Sequence, residues 1–180
     1  MLPRTGPLAA AARVGIASSV VDRVRGAGVE LRLGRLEDRA FIVELAVATF
    51  AALGDYRETM LAWLDGSDSV AIVADESGDR LGFALLAARR AIGFARRPNA
   101  ELLAIALSPA HQGHGIGGLL LARAELVARG WDADEMRLHT AQSNVRAQTF
   151  FRAAGYQPRA SGTSTYPSGE AALAFARALR

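Results

Sequence analysis

The sequence predicts a single α/β (α+β) domain, a central mixed β-sheet flanked by helices in the order βααβββαβαβ, with material for a further strand at the C-terminus. Three observations predict it. From Val29 onward, apolar residues switch repeatedly between the alternation of a half-buried strand and the three-to-four spacing of a helix. The chain has 180 residues, 51% hydrophobic and 22% charged, which suffices for one core, since a domain of about 150 residues buries about 68–70% of the surface its unfolded chain exposes. No internal repeat and no second linker-bounded unit interrupts the pattern.

Taken in order, the opening segment MLPRTGPLAAAARVGIASSVVDRVRGAG is rich in Ala, Arg, Gly and Ser and poor in acids. It reads as an N-terminal extension over residues 1–28, mobile or loosely docked, ahead of a domain over 29–180. Its composition weakly matches an organellar transit peptide, while Arg13 breaks what would be the apolar stretch of a secretion signal. VELRL then alternates as a strand does, and LEDRAFIVELAVATFAAL repeats apolar positions at helical spacing behind two acids. YRETMLAWLDG reads as a second helix closed by Gly66. SVAIVAD and RLGFALLAARR are strands joined by the hairpin-like turn ESGD. AELLAIALS is a fourth strand, so nearly all apolar that burial on both faces is expected. GGLLLARAELVARG is a helix with Gly130 as its natural stop, MRLHT a fifth strand, and VRAQTFFRAAG a helix ended by Gly155. STYPSGEAALAFARAL supplies the last strands.

Composition excludes several chemistries. With no cysteine, disulfides, thiolate metal sites and a cysteine thioester are ruled out. All 21 basic residues are arginine, so the lysine-dependent P-loop and protein-kinase phosphate sites are ruled out as well. That bias is also the mark of a GC-rich, bacterial coding sequence. The net charge of +3 sits in residues 1–28, where Arg4, Arg13, Arg23 and Arg25 face Asp22 alone. The balanced remainder has no basic, aromatic-interleaved stripe, so no nucleic-acid binding is expected. No apolar run is long enough to span a bilayer, and a cytoplasmic location without a membrane partner is the expectation.

The stretch SPAHQGHGIGGLLLARAELVARG carries a glycine motif that can be spelled two ways. Gly113, Gly115 and Gly118 give the dinucleotide fingerprint GxGxxG; Gln112, Gly115 and Gly117 give QxxGxG. Either feeds a helix N-terminus, where glycines let the backbone approach an anion and unpaired N–H groups point outward. The dinucleotide site needs its glycines directly after the strand and an acid about 20 positions on. Here Ser108–Gln112 intervene, and the next strand ends in His139–Thr140 with no acid. A glycine loop serving only as a tight turn stays open on this evidence.

More of the chain can be compared. LLAIALSPAHQGHGIGGLLLARAE followed by NVRAQTFFRAAGY resembles the two signature segments of the GNAT N-acetyltransferase superfamily. The first is similar to its strand, pyrophosphate loop and helix, and the second to its NxxAxxFYxxxGF helix. The resemblance implies acetyl-CoA as co-substrate and no metal. It places the backbone of Ile105, Ala106 and Leu107 along the pantetheine arm and the N–H groups of Gln112, Gly113, His114, Gly115, Ile116, Gly117 and Gly118 at the pyrophosphate. It also puts Asn144 on the pantetheine and Phe151 beside the cofactor. At Phe151 the family's usual general-acid Tyr is replaced by a ring that cannot donate a proton. Water, another hydroxyl such as Tyr166 or Tyr56, or a binding role without efficient turnover are the outcomes left open.

Acetyl transfer to an amine needs a deprotonated amine, a stabilised oxyanion and a protonated leaving thiolate. An α-amine with pKa about 8 costs only about 1 kcal/mol to deprotonate at pH 7, against about 4–5 kcal/mol for a lysine amine. Glu101, eleven positions before Gln112, and His139, five before Asn144, occupy positions where family members carry catalytic groups. Imidazole titrates in the useful range; the plain alternatives are a strand-end charge and a structural histidine. His111 and His114 read as exposed or near phosphate. TSTYPSGEAALAFARAL resembles the C-terminal strands of ribosomal-protein alanine and other N-terminal acetyltransferases, which makes Tyr166 and Tyr56 candidate acceptor contacts. The expected function is an N-acetyltransferase acting by direct transfer on a primary amine, with a protein or peptide amine first. A polyamine- or aminoglycoside-like small amine, or a non-catalytic acyl-CoA-binding regulatory module, are the alternatives, with a homodimer left open.

Overall fold

In the computed structural model the described residues are 22–23, 28–89, 98–160 and 164–180. The alternating VELRL segment forms Glu30–Leu33 (β2), with Leu31 buried. Ahead of it Asp22–Arg23 (β1) pairs antiparallel with it. Two residues of the segment read as an extension therefore join the sheet edge, and positions 1–21 and 24–27 lie outside the described residues.

Helices Arg39–Phe50 (α1) and Arg57–Leu64 (α2) follow as the helical spacing predicts. Strands Ser69–Glu76 (β3) and Asp79–Arg89 (β4) form a hairpin closed by Ser77 and Gly78. Both turn residues have positive φ, 55° and 95°, which matches the twist of the flanking strands as a type I′ turn does. Asn99–Leu107 (β5), Ile116–Gly130 (α3), Glu135–Ala141 (β6), Val145–Ala153 (α4), Gln157–Arg159 (β7) and Ala172–Ala178 (β8) complete the chain. The strands make one mixed sheet in the order β1-β2-β3-β4-β5-β6-β8-β7, antiparallel except for the β5–β6 pair. No helix among the described residues is long and apolar enough to cross a membrane.

Two apolar clusters sandwich this sheet. On one face α3 presents Ile116, Leu120, Leu121, Ala124, Val127 and Ala128, a stripe at helical spacing, to Val70, Ile72 and Leu86. On the other, Ile42, Val43 and Ala46 of α1 and Met60 and Leu64 of α2 cover Val73, Phe83 and Leu85. Beneath α1 lies a fully buried carboxylate, Asp38, gripped by Arg32 at 2.6 and 2.9 Å, by Arg80 Nε at 2.6 Å and by the Arg35 N–H at 2.7 Å. Burial works to raise its pKa, yet Arg32, the Arg35 N–H and Arg80 together hold it well below the ordinary carboxylate range.

Two sequence expectations need correction. The apolar run of β5 predicts burial on both faces, but its residues alternate between buried and half-exposed. The half-exposed set, Glu101, Leu103, Ile105 and Leu107, lines a cavity that the protein's own side chains do not fill. Gly130 predicts the stop of α3, but it is the last helical residue, and Asp132, at φ 56°, is the left-handed one. Ala133 N–H bonds to Ala128 O and Asp132 N–H to Arg129 O, which closes the carbonyl end as a Schellman motif does. Asp tolerates the left-handed region better than most residues, so a glycine is not required there.

Candidate active site

The site originates where two parallel strands separate. β5 and β6 pair only through Ala100, Leu102 and the residue between them, opposite Met136 to Leu138. Beyond that point β6 follows β8 as far as Ala141 opposite Ala172, while β5 follows β4 as far as Leu107 opposite Gly82. Leu103 is an extra residue in the β4–β5 register, since Leu86 faces Leu102 and Leu85 faces Ala104. This bulge turns Ala104 and Ala106 toward the α1–α2 cluster, whereas Ala100 and Leu102 face the α3 cluster. At Gly82 a Cβ would come 2.5 Å from Ala106 O, so only glycine permits the close approach of β4 that keeps β5 on that side. The wedge between the strands opens a cavity of about 750 Å³ that runs from α1 and α2 to the N-terminus of α3.

At the α3 end, the glycine loop is tied to the strand before it and to the helix across the wedge. Gln112 Nε2 donates to Leu107 O at 3.2 Å, tying the loop to the end of β5, and Arg146 Nη1 donates to Gln112 Oε1 at 2.9 Å. Gly113 and Gly115 have φ of 84° and 82°, a region that L side chains rarely adopt. A Cβ built at Gly113, Gly115 or Gly118 would meet nothing within 4 Å. The first turn of α3 therefore presents bare backbone to open space, where a helix dipole favours an anion. Gly113, Gly115, Gly117 and Gly118 line the cavity, as do Ile105, Ala106 and Leu107; Ile116 is buried in the α3 cluster, and His114 is exposed outside the lining.

The second signature segment sits across the wedge. Asn144 caps α4, its Oδ1 accepting from Ala147 N–H at 3.0 Å, and its other surface lines the cavity. Buried Gln148 donates to Ala141 O and Gln142 O, pinning α4 to the end of β6. Phe151 is buried, edge-on to Tyr156 with centroids 5.8 Å apart, and borders the cavity. Tyr156 is fully buried and donates to Glu125 Oε1 at 3.1 Å; burial, with Glu125 beside it, raises its pKa beyond any use as an acid at neutral pH.

Glu101 and His139 meet at the fork. Glu101 pairs in register with Arg137, and His139 lies two residues further along β6 on the same face. His139 Nδ1 is 3.7 Å from Glu101 Oε1, and Arg89 Nε donates to Glu101 Oε2 at 2.6 Å. The His139 imidazole and the Arg89 guanidinium hold the Glu101 carboxyl below its usual range against the opposing effect of burial. At the far end Tyr56 is buried between Phe50 and Trp63, with centroids 5.5 and 6.2 Å away. Tyr166 faces the same cavity, its hydroxyl pushed up to about 12 by burial and by Tyr56 and Glu170 nearby. One cavity thus brings together Glu101, His139, Tyr56, Tyr166, the glycine loop, Asn144 and Phe151.

Sequence reasoning missed Arg89, Arg146, Phe50 and Trp63. Arg146, one position past the first residue of α4, carries a weak signal as a cation next to the Asn cap. The others become neighbours only through sheet register and helix packing.

Residues 31–156 match the model of a family described as the acetyltransferase (GNAT) family. No curated protein matches the sequence. Among solved structures, the chain is similar to an acetyltransferase from Thermus thermophilus, at 18% identity and TM-score 0.63 over 84% of this chain and 97% of that one. It is also similar to PaiA N-acetyltransferase from Thermoplasma acidophilum in complex with coenzyme A, at 20% identity and TM-score 0.60 over 82% and 98% of the chains. A third likeness is to Arabidopsis thaliana NAA60 in complex with acetyl-CoA, at 13% identity and TM-score 0.70 over 83% and 98%. At these identities the likeness is one of fold.

Proposed function

The chain belongs to the GNAT acetyltransferase family, and from that premise we propose that residues 29–180 form a domain that moves an acetyl group from acetyl-CoA directly onto a peptide or protein amine. The observation that carries this reading is the β5–β6 fork, which leads from a bare helix N-terminus to a paired carboxylate and imidazole.

Each part has a physical task. N–H groups from Gly113 to Gly117 receive the diphosphate at the positive end of α3, those of Gln112 and Gly118 already donating to Pro109 O and Gly115 O, and Arg146 adds the cation that a lysine-free chain must draw from arginine. The β5 backbone from Ile105 to Leu107, which has no β6 partner, pairs with the amides of the pantetheine arm as an added strand would. Asn144 borders the same arm from the opposite wall.

At the fork His139 accepts the proton of the incoming ammonium, and the charged Glu101 orients the imidazole and attracts the cation. The amine then attacks the thioester carbonyl; the C–N bond forms, the C–S bond breaks, the nitrogen gives its second proton to water, and the thiolate takes its proton from water. Phe151 has no hydroxyl to give, and the Tyr156 hydroxyl is committed to Glu125. Tyr56 and Tyr166 border the acceptor.

The test is a thermal-shift comparison of acetyl-CoA, NAD and ATP, followed by thiol release with peptide and small-amine panels. Acetyl-CoA at about 100 times its dissociation constant should add about 2.7 kcal/mol of stability. Stabilisation by NAD and not by acetyl-CoA sinks the reading, and acetyl-CoA binding without thiol release across the panel favours a non-catalytic module.

A further inference from the structure

We infer that the acceptor carries one amine beside an apolar group, and that amines with several positive charges are poor substrates. This rests on the acetyl-transfer reading and narrows its acceptor class.

The charge and polarity of the proposed acceptor end of the cavity select for such an amine. Phe50, Leu53, Tyr56, Trp63, Leu103 and Tyr166 form its walls. Among the described lining residues Glu101 is the only carboxylate, and it is already shared between Arg89 at 2.6 Å and His139 at 3.7 Å. Glu170, whose charge is felt at Tyr166, accepts from Ser143 N–H at 2.8 Å, and Asp55 accepts from Arg57 N–H at 3.0 Å; neither lines the cavity. The segments outside the described residues, 1–21, 24–27, 90–97 and 161–163, contain no Asp or Glu in the sequence.

A first ammonium entering here meets Glu101 and is deprotonated at His139. A second finds apolar walls and no counter-ion, and it loses its hydration without full compensation. The ring faces of Phe50, Tyr56, Trp63 and Tyr166 attract a cation, but this offsets only part of the cost of removing it from water without a counter-ion. An alkyl or aryl group in the same place gains by burial against those walls. The same chemistry is offered by a peptide whose first residue is Met, Leu or Phe and by a free apolar amine.

The experiment measures kcat/KM by thiol release with the full chain and acetyl-CoA. The acceptors are pentylamine and 1,5-diaminopentane, which differ by one ammonium, then spermidine, a peptide beginning Met-Ala, and one beginning Asp-Ala. Pentylamine should exceed 1,5-diaminopentane by about tenfold or more, and the Met peptide should exceed the Asp peptide by a similar factor. Whether the Met peptide or pentylamine is the better acceptor identifies the source of the amine; both support the inference. Equal or better rates with 1,5-diaminopentane or spermidine overturn it while leaving acetyl transfer intact. Absence of thiol release with every amine fails the parent reading instead.

Two variants probe the walls. Trp63→Ala should lower kcat/KM for pentylamine by about tenfold with the KM for acetyl-CoA unchanged. Thr49→Glu adds a carboxylate at an exposed lining position without disturbing the core, and should move the diamine-to-monoamine ratio about tenfold toward the diamine. A ratio unmoved by Thr49→Glu in a folded variant contradicts the inference.

Discussion

Glu101 carries its charge through the neutral range, because His139 and Arg89 hold its carboxyl below the usual value despite burial. A carboxylate so stabilised is a poor proton acceptor but a good anchor for a cation, which is why we propose His139 as the base. His139→Ala should therefore lower kcat by about 10²–10⁴-fold with acetyl-CoA affinity retained. Glu101→Gln should lower kcat without moving the acid limb of the pH–rate profile; a limb that shifts with Glu101→Gln would make the carboxylate the base. Phe151 is the second decisive residue. Its ring borders the cavity where a hydroxyl would serve the leaving thiolate, so Phe151→Tyr should raise kcat by about tenfold or more, within the range a positioned acid supplies. An unaltered single-turnover rate would show that thiolate protonation does not limit the enzyme. Both positions are legible in the sequence, because they fall at fixed distances from motif residues. Arg89 is not, since nothing local says that β4 and β5 will place it beside Glu101.

The loop and first turn of α3 show how an element trades stability for binding. Gly118 lies in that turn, and a Cβ there would meet no atom within 4 Å, so replacing the glycine by leucine should improve helix stability by roughly 0.5–1 kcal/mol. The same side chain would enter the part of the cavity proposed for the diphosphate. Gly118→Leu should accordingly raise the melting temperature of the unliganded protein while weakening acetyl-CoA binding by about tenfold or more. Calorimetry with and without acetyl-CoA checks both halves, and unchanged affinity would remove Gly118 from the binding surface. The elements themselves were mostly legible, since their apolar periods are strong and their turns carry glycine. The stop of α3 was not: Asp132, rather than Gly130, takes the left-handed position, because the hydrogen bonds of Asp132 and Ala133 set the helix end.

Across the whole molecule, the Asp38 cluster ties β2 and β4 to the start of α1. Its folded pKa lies below the unfolded value of about 3.9. The stability it contributes is thus fully present above that value and is lost as pH falls through the folded pKa. Asp38→Asn leaves Arg32 and Arg80 without their buried counter-ion and should cost about 3–5 kcal/mol at pH 7. It should also flatten the loss of stability below about pH 4, measured by urea unfolding across pH. The sequence by itself determined the succession of strands and helices and the glycine loop, and it singled out Glu101, His139 and Phe151 as candidates, because each depends on residues close together in the chain. Only the tertiary structure decided that β5 is half-exposed, that β5 and β6 part after Leu102, and that Glu101 is shared by His139 and Arg89 in a cavity it lines together with Phe50, Tyr56 and Trp63. Those facts depend on register, bulge and packing between segments far apart in sequence, where periodicity carries no information about which face meets which.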